Sequence, residues 1–250
     1  MNDNLIIQDY LLYTEEDHKT WQTLSNRQAL LHDGIVSKAY LEGFRKLQLD
    51  PNRIVKIDEM STHMQKICGW SLLSVDGLIP TRDFFYMLTN HQYPITVPIR
   101  KPYELDFSEQ PDIFHDIYGH LPLLTNIDFV KFLQTYSAIA LKFVDDERAV
   151  ELLGRLYWFT YEMGIIAEDG IHKPYGGAII TSSGEMINVK SDAIPKHAFD
   201  VEHIFCTPYD NLKLQKEYFV INSFADLFKS LDGIEAKLKH HLLPADKLKK

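Results

Sequence analysis

The run Pro111-Asp-Ile-Phe-His115-Asp-Ile-Tyr-Gly-His120-Leu-Pro122 sets two histidines five residues apart between apolar flanks. On an ideal α-helix, a five-residue step turns the second side chain about 140° away from the first. The two imidazoles therefore meet on one atom only if the helix ends or distorts between them. Gly119 permits that distortion, and Pro122 disfavours helical geometry at Leu121. Two imidazoles brought together in this way point to a metal site that still needs at least one more ligand.

Glu162 is a candidate for that third ligand. Residues 147–166 read as a helix with an apolar stripe at Val150, Leu153, Tyr157 and Tyr161, and Glu162 lies in its almost wholly apolar C-terminal part. A carboxylate there is costly unless it is paired or bound to a cation. Two plainer readings stand beside the metal: Glu162 pairs with a buried Arg, or the histidines cap a helix. Spacing alone does not choose among the three.

Composition narrows the classes. A chain of 250 residues, 45% of them hydrophobic, fits one large domain or two small ones with a sizeable core. Its longest apolar runs, such as Ala178–Ile180 and Ser137–Leu141, are far too short to span a bilayer, so no membrane partner is expected. Residues 1–13 carry Asp3 and Asp9 without a basic stretch, so no secretory signal is expected. Cys68 and Cys206 make no disulfide framework, and a cytoplasmic location follows as the expectation. A net charge of −9 argues against a nucleic-acid partner. The basic group Lys237, Lys239, Lys247, Lys249 and Lys250 reads as a solvated helix face.

The pattern along the chain is mainly helical. Thr14-Glu-Glu-Asp17 has the form of a capping box, opening a helix that carries Trp21, Leu24 and Leu31 and stops at Gly34. Further helices are expected at 36–47, from Asp58, from Thr81, at 110–119, from Asp128 to Phe143, and from Ser223 to about Leu243. Tyr93–Ile99 alternates like a strand, but Pro94 and Pro98 demote it to an edge. Ala178–Ser182, Ile187–Val189 and Tyr218–Ile221 read as short strands joined by turns. The expected class is α+β, mainly helical, with short late strands in a single catalytic domain over residues 1–250.

Several motifs then fall in register with a known family. Gln110-Pro-Asp-Ile-Phe-His-Asp-Ile-Tyr-Gly-His-Leu-Pro-Leu-Leu124 and Leu156-Tyr-Trp-Phe-Thr-Tyr-Glu-Met-Gly164 closely resemble the pterin-dependent aromatic amino acid hydroxylases. Gly77-Leu-Ile-Pro-Thr-Arg-Asp-Phe84, Arg100, Tyr175-Gly-Gly-Ala-Ile-Ile-Thr-Ser-Ser-Gly-Glu185 and Tyr218-Phe-Val220 follow the same order, so the resemblance spans roughly residues 65–225. It is strongest to the short bacterial branch that hydroxylates phenylalanine.

The resemblance implies Fe(II), tetrahydrobiopterin and O2 as cofactors, with iron held by His115, His120 and Glu162. Zinc hydrolases use the same donor atoms, but their common signature sets two His four apart with Glu after the first; here the step is five and Asp116 follows His115. Backbone contacts to the pterin would come from Gly77, Leu78 and Ile79. Phe84 would stack on its ring, with Thr81, Asp116 and Tyr157 lining the same pocket. Taken alone, Phe84 and Tyr157 are core aromatics. Arg100 matches the family's carboxylate-binding Arg, and Asp112 the acid that holds it; taken alone they are an ordinary salt bridge. Trp158 and Pro111 match positions that contact the substrate ring, and Thr181 and Ser182 the small hydroxyl residues lining the site. The remaining histidines read as surface, capping or strand-adjacent residues.

Four positions depart from the family pattern: Ala178 and Thr181 where Gly and Ser are usual, Met163 where Phe is common, and Asn211 where an apolar residue is usual. They reshape the pocket without touching the iron ligands. The expected substrate is a free aromatic amino acid, phenylalanine first, with measurable turnover of Trp or Tyr; tryptophan or tyrosine hydroxylation and zinc hydrolysis stand as alternatives. A monomer without the regulatory domain or assembly helix of the larger animal members is expected.

Overall fold

Thr14 opens the first long helix as the sequence pattern requires. Its hydroxyl accepts from the Asp17 amide, and the Asp17 carboxylate accepts from the Thr14 N–H at 3.0 Å, closing a capping box on α1 (Glu15–Gln28). The helix stops at Gln28, short of Gly34. The computed structural model describes residues 4–31 and 34–243, so Asp3, His32, Lys247, Lys249 and Lys250 lie outside it. Helix α2 (Lys38–Leu47) is capped by Ser37, and α3 (Ile57–Cys68) ends at Gly69 in the left-handed conformation that glycine adopts without a Cβ penalty.

Strand β1 (Ser71–Val75), which the sequence pattern did not reveal, pairs in parallel with β2 (Gln92–Thr96) across α4 (Thr81–Thr89). In this two-stranded sheet both strands are edges, and Pro94 is tolerated opposite Leu73. Next come the His115–His120 segment, α5 (Leu121–Leu124), α6 (Ile127–Phe143) and α7 (Glu147–Tyr157), which runs into the segment bearing Glu162. Asn126 caps α6 rather than Asp128, accepting from the Phe129 amide at 3.0 Å.

The later part differs most from expectation. Ala178–Ser182 and Ile187–Val189 are not strands: they fall largely within α8 (Gly177–Ile180) and α9 (Ser183–Asn188). The strands are β3 (Ile165–Glu168), β4 (Ile171–Pro174), β5 (Lys196–Ala198) and β6 (Tyr218–Ile221), of which only the last was expected. They form one sheet in the order β4-β3-β6-β5, with β3–β4 antiparallel and both other pairings parallel. Helix α10 (Val201–Cys206) lies between β5 and β6. The C-terminal helix is split into α11 (Phe224–Lys229) and α12 (Ile234–Leu242), with Gly233 at a φ of 75° between them.

One apolar cluster joins these elements from Trp21 on α1 to Leu238 on α12, so helices and strands share a core and the class is mainly helical α+β. No helix among the described residues is long and apolar enough to cross a membrane.

Candidate metal centre and its two cavities

The helix carrying the histidines neither ends nor breaks. It widens: residues His115–His120 form a π-helical segment that leads directly into α5. Bonding from i to i+5 widens the turn and brings residues five apart onto the same side of the helix, which an α-helix does not do. Glu162 is presented in the same way by a second π-helical segment, Trp158–Glu162, closed by the Met163 N–H donating to the Trp158 carbonyl at 2.8 Å.

Pro122 does not disturb Leu121, which keeps right-handed helical angles. A proline removes the hydrogen bond to the carbonyl four residues before it. That carbonyl, of Tyr118, accepts instead from the buried Tyr40 hydroxyl at 2.9 Å. Gly119 acts through close approach rather than backbone freedom. A Cβ there would sit 3.1 Å from Gly177, and one on Gly177 would fall 2.4 Å from the His120 ring. Two glycines thus let α8 press against the imidazole, which also stacks on Tyr161 with ring centroids 4.3 Å apart.

The three side chains converge. His120 Nε2 is 2.9 Å from His115 Nε2 and 3.3 Å from Glu162 Oε1, and His115 Nε2 is 3.7 Å from Glu162 Oε2. Adjacent positions of an octahedron with bonds of about 2.1 Å lie about 3.0 Å apart, so the spacing suits three ligands on one face of a metal ion. Glu162 Oε2 is buried and has no hydrogen-bond partner. A divalent cation satisfies that oxygen, and the donor set of two imidazoles and one carboxylate fits ferrous iron.

The surroundings favour the metal-binding protonation states. Burial, assisted by His120, takes His115 down to about 4, so its ring is neutral at pH 7. Burial pushes the Glu162 carboxyl up, but the His120 and then His115 imidazoles outweigh it and hold the group well below its usual range. Thr181 Oγ1 donates to the Gly177 carbonyl at 2.8 Å and so is left to accept from His115 Nδ1 at 2.9 Å. That bond fixes the tautomer, with the Nε2 lone pair facing the other ligands. Burial raises Asp116 to about 7; its Oδ2 accepts from the Thr96 amide at 2.7 Å.

His115 and Glu162 stand in a wall shared by two cavities, of about 520 and 460 Å³. The smaller is lined by Gly77, Leu78, Ile79, Thr81, Phe84, Asp116 and Tyr157, together with His120. The larger is lined by Arg100, Pro111, Trp158, Thr181 and Ser182, and by the departing positions Met163, Ala178 and Asn211. Asp112 lines neither; it lies behind Arg100, accepting from Nε and Nη2 at 2.9 Å each and from the backbone amides of Arg100 and His115. Asn211 is exposed at the larger cavity's edge, so its amide meets water.

Comparison with known proteins settles the class. The sequence profile of the biopterin-dependent aromatic amino acid hydroxylases matches residues 7–243. The chain belongs to that family. It is therefore a biopterin-dependent hydroxylase rather than a zinc hydrolase. Among its relatives, phenylalanine-4-hydroxylase of Pseudomonas aeruginosa is 39% identical over 88% of this chain and 83% of its own length. Tyrosine 3-monooxygenase of Drosophila melanogaster is 31% identical over 87% of the chain but 38% of that protein. The crystal structure of the Chromobacterium violaceum phenylalanine hydroxylase with iron(III) and 7,8-dihydrobiopterin superposes with a TM-score of 0.89 at 36% identity, covering 95% of this chain and 87% of that one. Another structure of that enzyme, bound to iron and phenylalanine, also gives 0.89, covering 98% and 89%.

Several residues of the hydroxylase site carried no local signal. Tyr209 reaches both cavities and stacks on Trp158, with centroids 4.7 Å apart and planes at 12°. Gln215 accepts from Trp158 Nε1 at 2.9 Å, and its own amide nitrogen donates to the Asp210 and Lys213 carbonyls. Buried Glu185 accepts from the Gln215 backbone N–H at 2.8 Å and from the Tyr218 hydroxyl. The 209–215 loop is thereby tied to α9 and to the indole. The Pro208-Tyr-Asp-Asn211 sequence announces a turn, but nothing local says which wall it closes.

Proposed function

We propose that the chain is an iron- and tetrahydropterin-dependent monooxygenase that converts phenylalanine to tyrosine. The observation that carries this reading is the shared wall: His115 and Glu162 border both cavities, so a metal ion there would face two bound molecules at once. Iron and reduced pterin, when bound, supply oxygen activation and both electrons.

The chain's own part is binding, orientation and exclusion of water. His115, His120 and Glu162 hold the metal. Gly77, Leu78 and Ile79 offer backbone groups to the pterin in the smaller cavity. Phe84 and Tyr157, whose rings meet edge to face at 5.8 Å, offer it aromatic surface, with Thr81 and Asp116 beside them. In the larger cavity Arg100 takes the amino-acid carboxylate. Asp112 occupies the Nε/Nη2 edge of its guanidinium, which orients the Nη1/Nη2 edge before substrate arrives. Trp158 and Pro111 pack the substrate ring, and Thr181 and Ser182 line the wall beside it. The 209–215 loop screens the reacting ring from water.

Phenylalanine is favoured by the bacterial relatives named above and by the stacked Trp158–Tyr209 wall, which presents apolar surface. A hydrophobic pocket discriminates poorly against one added hydroxyl, so measurable turnover of a second aromatic amino acid accompanies it. Residues 1–250 act as one catalytic domain in a cytoplasmic monomer; the two unpaired cysteines support a reducing compartment. The test is competition among Phe, Tyr and Trp at equal concentration with the Fe(II)-loaded protein and reduced tetrahydropterin. Tyrosine formed from Phe should predominate; a clear preference for Trp or Tyr overturns the substrate assignment.

A further inference from the structure

Outside both cavities, His197, His203 and Glu217 bring three ligand atoms within 4.8 Å of one another. They come from separate elements: β5, α10 and the residue before β6. The parallel β5–β6 pairing sets His197 beside Phe219, and the Asp200 cap on α10, which accepts from the His203 amide at 2.8 Å, fixes where His203 leaves the helix. The Phe219 ring lies 5.7 Å from one imidazole and 5.0 Å from the other, and the imidazoles are 4.8 Å apart. Both rings are therefore oriented before any ligand arrives.

His197 Nε2 lies 3.1 Å from Glu217 Oε2, and His203 Nε2 lies 3.9 Å from the same oxygen. The second separation is too long for a hydrogen bond. Both suit a coordination sphere, since tetrahedral ligands at 2.0–2.1 Å from zinc lie about 3.4 Å apart. The side chains are 38%, 43% and 30% exposed, so they can shift a few tenths of an ångström and water can complete the shell. Two imidazoles and a carboxylate select a divalent transition ion over magnesium or calcium, which prefer all-oxygen shells.

We propose that His197, His203 and Glu217 form a second metal site, for zinc or a similar divalent transition ion, independent of the iron centre. Bound metal ties β5, α10 and the approach to β6 together and stabilises the folded state, because the unfolded chain does not gather these ligands.

Equilibrium dialysis of the Fe(II)-loaded protein against zinc chloride, with elemental analysis of both metals, tests the site. The expected result is one zinc per chain beyond any that replaces iron at the His115, His120 and Glu162 triad, accompanied by a rise in Tm. His203→Ala and Glu217→Gln should each lose that zinc and the Tm rise while keeping iron content and hydroxylation rate. His115→Ala should lose iron and still take up zinc at this site. Zinc uptake matched by iron loss, or equal uptake by the His203→Ala and Glu217→Gln variants, overturns the proposal.

Discussion

Replacing Thr181 by valine removes one oxygen and almost no volume, and the structure says what depends on that oxygen. Because Thr181 Oγ1 spends its proton on the Gly177 carbonyl, it accepts from His115 Nδ1 at 2.9 Å and holds the ring with Nε2 toward His120 and Glu162. In Thr181→Val the Nδ1–H is left buried without a partner, at a cost of about 1–3 kcal/mol. The Gly177 carbonyl keeps the Thr181 backbone N–H at 3.1 Å, so the loss concentrates on His115. Losing the partner that orients a metal-binding imidazole weakens binding about 10–100-fold. Thr181→Ser keeps the acceptor and should stay within about threefold of the parent on the same argument. Anaerobic competition for Fe(II) against a chromophoric chelator measures the ratio directly. A valine variant that holds iron as tightly as the parent, or a serine variant that loses as much as the valine one, would refute the reasoning.

Arg100→Lys keeps the charge but gives up the planar fork, so KM for the amino acid should rise about 10–100-fold with a smaller change in kcat; steady-state kinetics at saturating pterin checks this. Tyr40→Phe leaves the Tyr118 carbonyl without its replacement donor and should cost about 1–2 kcal/mol, read as a lower urea midpoint at unchanged m. Asp112→Ala leaves the Arg100 charge buried and unpaired, since each side chain is only 4% exposed, and should cost about 3–5 kcal/mol at pH 7. Burial alone would raise the Asp112 carboxyl, but the Arg100 hydrogen bonds and charge outweigh it and lower it. Its stabilisation is therefore complete above the unfolded value of about 3.9 and lost as pH falls toward the lower folded value. Urea midpoints at pH 7 and pH 3.5 should show the gap between parent and Asp112→Ala narrowing in acid.

What could be read in the sequence was what local chemistry decides. The Thr14 capping box, the helix from Thr81 and the long helices around 127–157 follow from caps and period. The His115–His120 step demands a distorted helix, although only the structure shows the distortion to be a π-turn shared with the Glu162 segment. Ala178–Ser182 misled because a short apolar run looks the same in a strand and a buried helix turn. Here the turn is helical, and Gly177 lets it press against the His120 ring. Strand β1 was missed because parallel partners are remote in sequence and leave no hairpin signature. Tyr209 and Gln215 were missed for a similar reason. Their roles come from a loop folding back onto Trp158, and nothing in their immediate neighbours encodes that contact.

The central claim is that His115, His120 and Glu162 hold iron between a pterin and an aromatic amino acid. The most direct measurement follows tyrosine formation and O2 uptake by metal-free protein reconstituted with Fe(II), with and without reduced tetrahydropterin, beside a zinc-reconstituted sample. The account expects tyrosine only with iron and pterin together, and none from His115→Ala. Tyrosine formed without pterin, formed equally with zinc, or retained in His115→Ala would contradict it.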